Sequence, residues 1–574
     1  MKHKFLPIFL CILAIFPIAA NAQEGPLFRR NLPRVASMDP TKAGDVAAAR
    51  AASLSYETLL EYDYTNRPYR LIPGLATALP EISSTGLVYI FHIAPDARYT
   101  PNPCFGVDAS GQPKTRAVTA NDFVFALKRL ADHKLASPGA WLVEDNIRGM
   151  RAFAEQSSRA AASNASFNVE GLQALDDHTL RIELARPSPQ FIWLLAMTYT
   201  APMPPEAIAF YGDTISEHPV GSGPYRLVSW RRNHEMVFAR NADWRGWKCG
   251  PAAVTGSGEV PFEKIIFRVM DDASTQWLAF LAGELDFQGD ISRDNLDTVV
   301  DADRKLRPEF VKQGIVLTDT PTLDVFYIGL NMEDPVLGTN KLLRQALNCA
   351  FDGARWETFM KHRVVRADSP VPPGIAGRVA EPFGYNFDLA RAKKMLAEAG
   401  YPEGRDPATG NRLVLNLDLG QTTPDARESA ELLVTFMARA GMDVVPKYQT
   451  FPAFLQKLAA RETQMFSLGW VGDYPDAENF LQLFYGRNVS PGPNHSNYRN
   501  AEFDRLYDAA RAAADEATRL DCYRQMQMIV REDCPWIFLH FPRAFSLNHG
   551  RVHNYHPHDF PYGMEKYLRT PRAN

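Results

Sequence analysis

The residues best placed to do chemistry lie in one stretch, "GWVGDYPDAENF", from Gly469 to Phe480. Asp473, Asp476 and Glu478 put three carboxylates within six residues, flanked by Trp470, Tyr474 and Phe480. Gly469 and Gly472 loosen the backbone just ahead of Asp473. Such a set could be a catalytic acid pair, a metal cage or a clamp for a cation. Glycoside hydrolysis asks for two acids about 5 to 10 Å apart across a sugar. Asp473 and Asp476 could meet that spacing, and so could many turn residues. Asp476 sits where a helix start prefers an aspartate. Asp473 falls at a predicted strand end among glycine and aromatic residues, where ligand contact and a surface turn are equally supported on local grounds.

Other chemical patterns are weaker. In "HPVGSGPY" a nucleophilic serine would need glycine two residues before and two after, and those places hold Val220 and Pro224. The same stretch lacks the lysine of a phosphate-binding loop, so it reads as a tight turn entering a strand. His549, His553, His556 and His558 crowd into ten residues. Without a companion cysteine and with Pro557 between them, they read as a solvated C-terminal segment and not a zinc site. No catalytic residue, metal or cofactor is assigned.

The elements that must position Asp473 follow from periodicity. "TANDFVFALKRLAD" is a helix with Thr119 as N-cap and Asp122 three residues on. "YRLVSW" and "HEMVFAR" form a hairpin about Arg231–Asn233. Later come the helix "LLRQALNCAFD", the helix "FDLARAKKMLAEAG" from Asp388 to Gly400, the strand "LVLNLDL", a helix closed by Gly441, the strand "MDVVPKY", a short helix and the strand "MFSLGW". Strand alternating with helix predicts an α/β lobe, whose ligands sit at the carboxyl ends of the strands. Asp473 follows such an end.

The length of 574 residues predicts two or three domains. "MKHK", the apolar "FLPIFLCILAIFPIAA" and the small-residue "ANA" before Gln23 make a secretory signal peptide with cleavage after Ala22, hence export to the periplasm. Without Lys2 and Lys4 the mature chain carries 60 basic against 66 acidic side chains. That mildly acidic balance disfavours nucleic acid and anionic membranes. Five cysteines remain of the six. Cys349 reads as a buried free thiol, Cys522 and Cys534 lie too far apart on one helix to pair, and Cys104 with Cys249 is the one pairing left open.

"HPVGSGPYRLVSW" followed by "NADWRG" resembles the segment by which family 5 extracellular solute-binding proteins are recognised, the peptide-, dipeptide- and nickel-binding components of ABC importers. "YETLLEYD", "TANDFVFALKRLAD", "YIGLNM" with "LLRQALNCAFD", "GWVGDYPDAENF" and "CYRQMQMIVREDCPWIFLH" match further stations in order across nearly the whole mature chain. The resemblance implies an α/β, three-domain periplasmic-binding-protein fold of type II, large peptide-binder subclass, with two lobes joined by a two-crossing hinge. Lobe I would comprise 23–75, 190–320 and 545–574, domain II 76–189 and lobe III 321–544, with crossings near Leu323–Asn331 and Phe538–Phe545.

It also implies a binder without catalysis, acting as a monomer, that closes on a peptide and passes it to an ABC permease in the inner membrane. Asp473 would pair with the peptide ammonium. Trp470 and Tyr474 would flank the peptide, beside Gly469 and Gly472, and a strand edge would hold its main chain. Main-chain contacts ignore side chains and permit broad specificity. The sequence departs from the pattern where peptide relatives carry an arginine: Gln421–Thr423 and Ser467 stand there, which favours a longer or differently terminated ligand over strict dipeptide selection. "TPNPCFGVDASGQPKTRAV" adds a loop. Nickel complexes or oligosaccharides are alternative ligands, and an exported hydrolase using paired carboxylates is the alternative of another class.

Overall fold

The computed structural model describes residues 25–159, 167–254, 258–289, 291–301, 304–379, 385–513, 515–560 and 563–572. The expected signal peptide, residues 1–22, and the expected cleavage after Ala22 lie outside the described residues. No helix among them is long and apolar enough to cross a membrane.

One mixed sheet organises the chain. Its order runs Asp443–Tyr448, Val414–Leu419, Met465–Val471, Asp324–Leu330, Trp536–His549, Phe287–Gln288, Leu27–Asn31, Lys264–Arg268, Glu235–Arg240, Tyr225–Arg231. The 14-residue strand Trp536–His549 is common to both halves. Its first part pairs with Asp324–Leu330, from Gly329 opposite Trp536 to Phe326 opposite His540. Its second part pairs with Ile315–Pro321, from Pro321 opposite Arg543 to Ile315 opposite His549. The partner changes at Pro542, whose carbonyl accepts the Thr322 N–H at 2.9 Å. Two crossings thus run side by side between the halves.

A separate four-stranded sheet, Glu81–Ile82, Val88–His92, Thr179–Glu183 and Leu172–Ala174, packs against the helix Ala120–Leu130. That helix starts as its sequence dictates. Thr119 and Asp122 form a reciprocal capping box, and Phe123, Leu127 and Leu130 are buried on one face. Arg129 near its end makes a two-pronged bond to Asp39, at 2.7 Å on each carboxylate oxygen. Asp39 is fully buried, so removing either partner would strand a charge, at a cost of about 3–5 kcal/mol. The added loop of residues 100–118 is ordered. Asp108 accepts the N–H groups of Ser110 and Gln112, and Tyr211 donates to Asn102 at 3.0 Å.

The α/β half is built from the predicted units. Asp388 caps the helix Leu389–Glu398 through the Arg391 N–H at 2.9 Å. The helix Pro424–Ala440 begins at Thr423 with proline in its first turn, buries Ala430, Leu433, Phe436 and Met437, and ends at Gly441. There φ is +99°, a left-handed turn that glycine adopts without strain. Val414–Leu419 runs parallel to both Asp443–Tyr448 and Met465–Val471.

Two expectations are corrected. Cys104 and Cys249 are not joined; all five cysteines are free thiols, and the exposed Cys249 instead donates to the Arg245 carbonyl at 3.4 Å. The histidine-rich segment is not a solvated tail. His558 is enclosed by Tyr62, Tyr64, Tyr69 and Phe560, and burial beside Arg67 drives its pKa down to about 3. His549 faces the Phe280 carbonyl at 3.1 Å and His553 faces Glu259 at 2.6 Å. Among the described residues no group of three His, Cys, Asp or Glu side chains could hold a metal.

Candidate functional site

The strand Met465–Val471 leaves the core as it runs. Met465 and Phe466 are buried, the next four residues are half-buried, and Val471 is exposed. One edge pairs with Asp324–Leu330 over the whole length. The other pairs with Val414–Leu419 only as far as Ser467, opposite Leu419. No strand of the described residues takes that edge from Leu468 to Val471. The two parallel strands therefore part at their carboxyl ends, where ligands of α/β folds are held. A cleft of about 690 Å³ opens there, bordered by Phe326, Trp356, Phe451, Gly469, Val471 and His540.

Asp473 stands just past the strand. Its side chain is exposed to solvent, although protein surrounds much of the carboxylate. That partial desolvation raises its pKa above the usual carboxylate range, and the Asn479 side chain offsets only part of the rise. Asn479 is buried and organises the turn: its Oδ1 accepts the Asp473 N–H at 3.1 Å and the Trp470 indole N–H at 3.0 Å, and its Nδ2 donates to Asp473 Oδ2 at 3.1 Å.

The neighbouring acids do not join Asp473. Asp476 is buried and accepts the Glu478 N–H at 2.9 Å, the helix-start role its position implied. Glu478 is buried, gripped on one oxygen by the Tyr474 hydroxyl and on the other by that of Tyr507; burial raises its pKa. Only Asp473 of the three is exposed to solvent, so the set does not converge as a hydrolytic pair.

The sequence-derived site residues therefore divide. Gly469 borders the cleft, whereas Asp473 is solvent-exposed beyond the strand end and outside the cleft's lining. Trp470 is half-buried, packed against the core and tethered to Asn479. Tyr474 is a correction: its ring is buried and its hydroxyl is bound to Glu478, so it supports the turn from within instead of flanking a ligand. The two glycines also differ from expectation. Neither takes a left-handed φ; each makes room. A β-carbon at Gly469 would come within 2.8 Å of the Phe326 ring, and one at Gly472 within 2.9 Å of the Leu323 carbonyl.

Sequence reasoning missed Asn479, Phe326 and His540, and also the half-buried Asp559. Asp559 accepts the Tyr69 hydroxyl at 2.6 Å and the Leu323 N–H at 3.0 Å. The Leu323 carbonyl in turn accepts the Gly472 N–H at 3.0 Å. A chain of bonds thus links the C-terminal segment, the crossing and the Asp473 turn. Of these residues only Asn479 carried a local signal, six residues after Asp473. At the arginine departures, Ser467 and Gln421 border the cleft, while Arg427 lies over the Tyr448 ring at 4.4 Å.

Comparison with known proteins adds the following. A family model described as "Bacterial extracellular solute-binding proteins, family 5 Middle" matches residues 70–492. Heme-binding protein A of Haemophilus influenzae is 27% identical over 500 residues, covering 85% of this chain and 82% of that protein. The periplasmic oligopeptide-binding protein OppA of Salmonella typhimurium is 25% identical over 523 residues, 89% and 86% of the two chains. Among solved structures, the murein tripeptide binding protein MppA in its unliganded open form superposes with a TM-score of 0.78 at 22% identity, over 96% of this chain and 98% of that one.

Proposed function

Because this chain belongs to the family 5 bacterial extracellular solute-binding proteins, we propose that it is the periplasmic capture subunit of an ABC importer for peptides. It works as a monomer without covalent chemistry and delivers its load to an inner-membrane permease, after export with cleavage behind Ala22. Lobe I comprises 23–75, 190–320 and 545–574, domain II 76–189 and lobe III 321–544. The observation that carries the reading is the unpaired edge of Leu468–Val471 running into Asp473. A peptide lying on that edge gains main-chain hydrogen bonds that ignore side chains, and its ammonium would meet just past the strand end a carboxylate with one side-chain donor that is otherwise open to solvent.

Closure would exclude water from that pair and strengthen it. Trp470 and Gly472 hold the turn, and Gly469 keeps the edge accessible. OppA and MppA, whose names refer to oligopeptide and murein tripeptide, support the same substrate class. The test is calorimetry with tripeptides bearing free or acetylated amino termini. Free peptides are expected to bind, and acetylation or Asp473→Ala to abolish binding. Equal affinity for both forms refutes the ammonium clamp.

A further inference from the structure

The cleft beside Leu468–Val471 has aromatic walls and a floor of small residues. On one side Phe326 lies flat against the His540 imidazole, with centroids 4.9 Å apart and planes 7° from parallel. Trp356 backs the same imidazole at 6.0 Å, and Phe359 stands 5.9 Å from Trp356. On the other side are Phe451 and Phe454, 6.2 Å apart. Gly420, Ser467 and Gly469 lie between. A β-carbon at Gly420 would come within 2.6 Å of Phe454 and 3.0 Å of Phe451. Both glycines therefore let rings rest on bare backbone and keep the space between them open.

Two polar groups beside the aromatic wall are already committed, while Gln421, Asp425 and Glu428 border the chamber as exposed side chains. Trp356 donates its indole N–H to His540 Nδ1 at 3.1 Å, and burial lowers the imidazole pKa to about 4. His540 is therefore neutral at pH 7. The Arg543 guanidinium is paired through two 2.7 Å bonds with Asp319. By contrast, apolar groups are left wet: Phe326 is 36% exposed, Phe451 51% and Val471 69%. Apolar surface that converges on a concavity is a place where a ligand gains by excluding water, and a charged group seated between the rings, away from Asp425 and Glu428, would lose hydration.

We infer that this chamber receives a large uncharged side chain, an aromatic one above all, from a peptide whose main chain lies on Leu468–Val471. The inference deepens the peptide reading and rests on it. Calorimetry on the mature chain with Ala-Ala-Ala, and with tripeptides carrying Phe, Trp or Lys at each position in turn, tests it. At one position Phe or Trp is expected to bind about tenfold or more tighter than Ala or Lys. Phe326→Ala and Phe451→Ala should bring that ratio towards one.

Equal binding of Phe, Lys and Ala peptides at every position overturns the chamber and leaves the peptide reading intact, as does a preference that survives both substitutions. If no peptide binds, while the neutral fluorophore N-phenyl-1-naphthylamine is taken up and both substitutions abolish its uptake, the peptide reading falls and the apolar chamber stands. Failure of peptides and fluorophore alike overturns both.

Discussion

Asp473 and Glu478 are carboxylates five residues apart on one turn, and both have their pKa raised by loss of water. What surrounds them differs. Glu478 is buried and receives a phenol on each oxygen. Asp473 receives one amide and is otherwise open to solvent. A desolvated acid with its partners in place is part of the scaffold. One that is left open to solvent has room for a partner from outside the chain, the role proposed for Asp473. The contrast, more than the pKa of either acid, separates structure from function here.

The comparison can be broken by exchanging what each acid should lose. Asp473→Ala is expected to cost peptide affinity at least a hundredfold, about 3 kcal/mol, with the unfolding midpoint in urea unchanged. Glu478→Ala should do the opposite. Two buried phenols lose their acceptor, unfolding becomes easier by about 2–3 kcal/mol, and the folded fraction still binds peptide. A binding loss in the second variant, or a stability loss in the first, would erase the distinction.

The pH dependence should divide in the same way. An ammonium pairs with ionised Asp473. Affinity is therefore full above its raised pKa and falls as pH drops through it, by about tenfold per pH unit below, starting before an ordinary aspartate would titrate near pH ~4. For Glu478 the sign concerns stability. Its folded pKa lies above its unfolded one, so the folded state takes up the proton first. Lowering the pH through that interval stabilises the parent relative to Glu478→Gln, which chemical denaturation at several pH values would record. The smallest effect is expected from Trp470→Phe, which removes one bond to Asn479 and about 1 kcal/mol of stability.

Local rules made much of this legible. Thr119 and Asp122, Asp388, and the strand leading to Asp473 all lie where short-range chemistry puts them, because caps and alternation are decided within a few residues. Tyr474 was misread because a tyrosine beside a strand end can turn either way; only Tyr507, brought in by another helix, fixes it inward. The Phe326–His540 stack was invisible for the same reason. It is set by the pairing of two strands far apart in the chain. His558 looked like a polar tail residue until the aromatic residues Tyr62 to Tyr69 closed over it.

The long strand Trp536–His549 carries a mechanical consequence. Where its neighbour switches from Asp324–Leu330 to Ile315–Pro321, the residue at the switch is Pro542, which has no amide hydrogen to lose. The short strand Val364–Arg366 lies across this point, with Val364 opposite Pro542, and braces it from the other edge. Two connections lying abreast resist torsion, so a closing motion of the kind proposed above would be confined to nearly one axis, the same for every cargo.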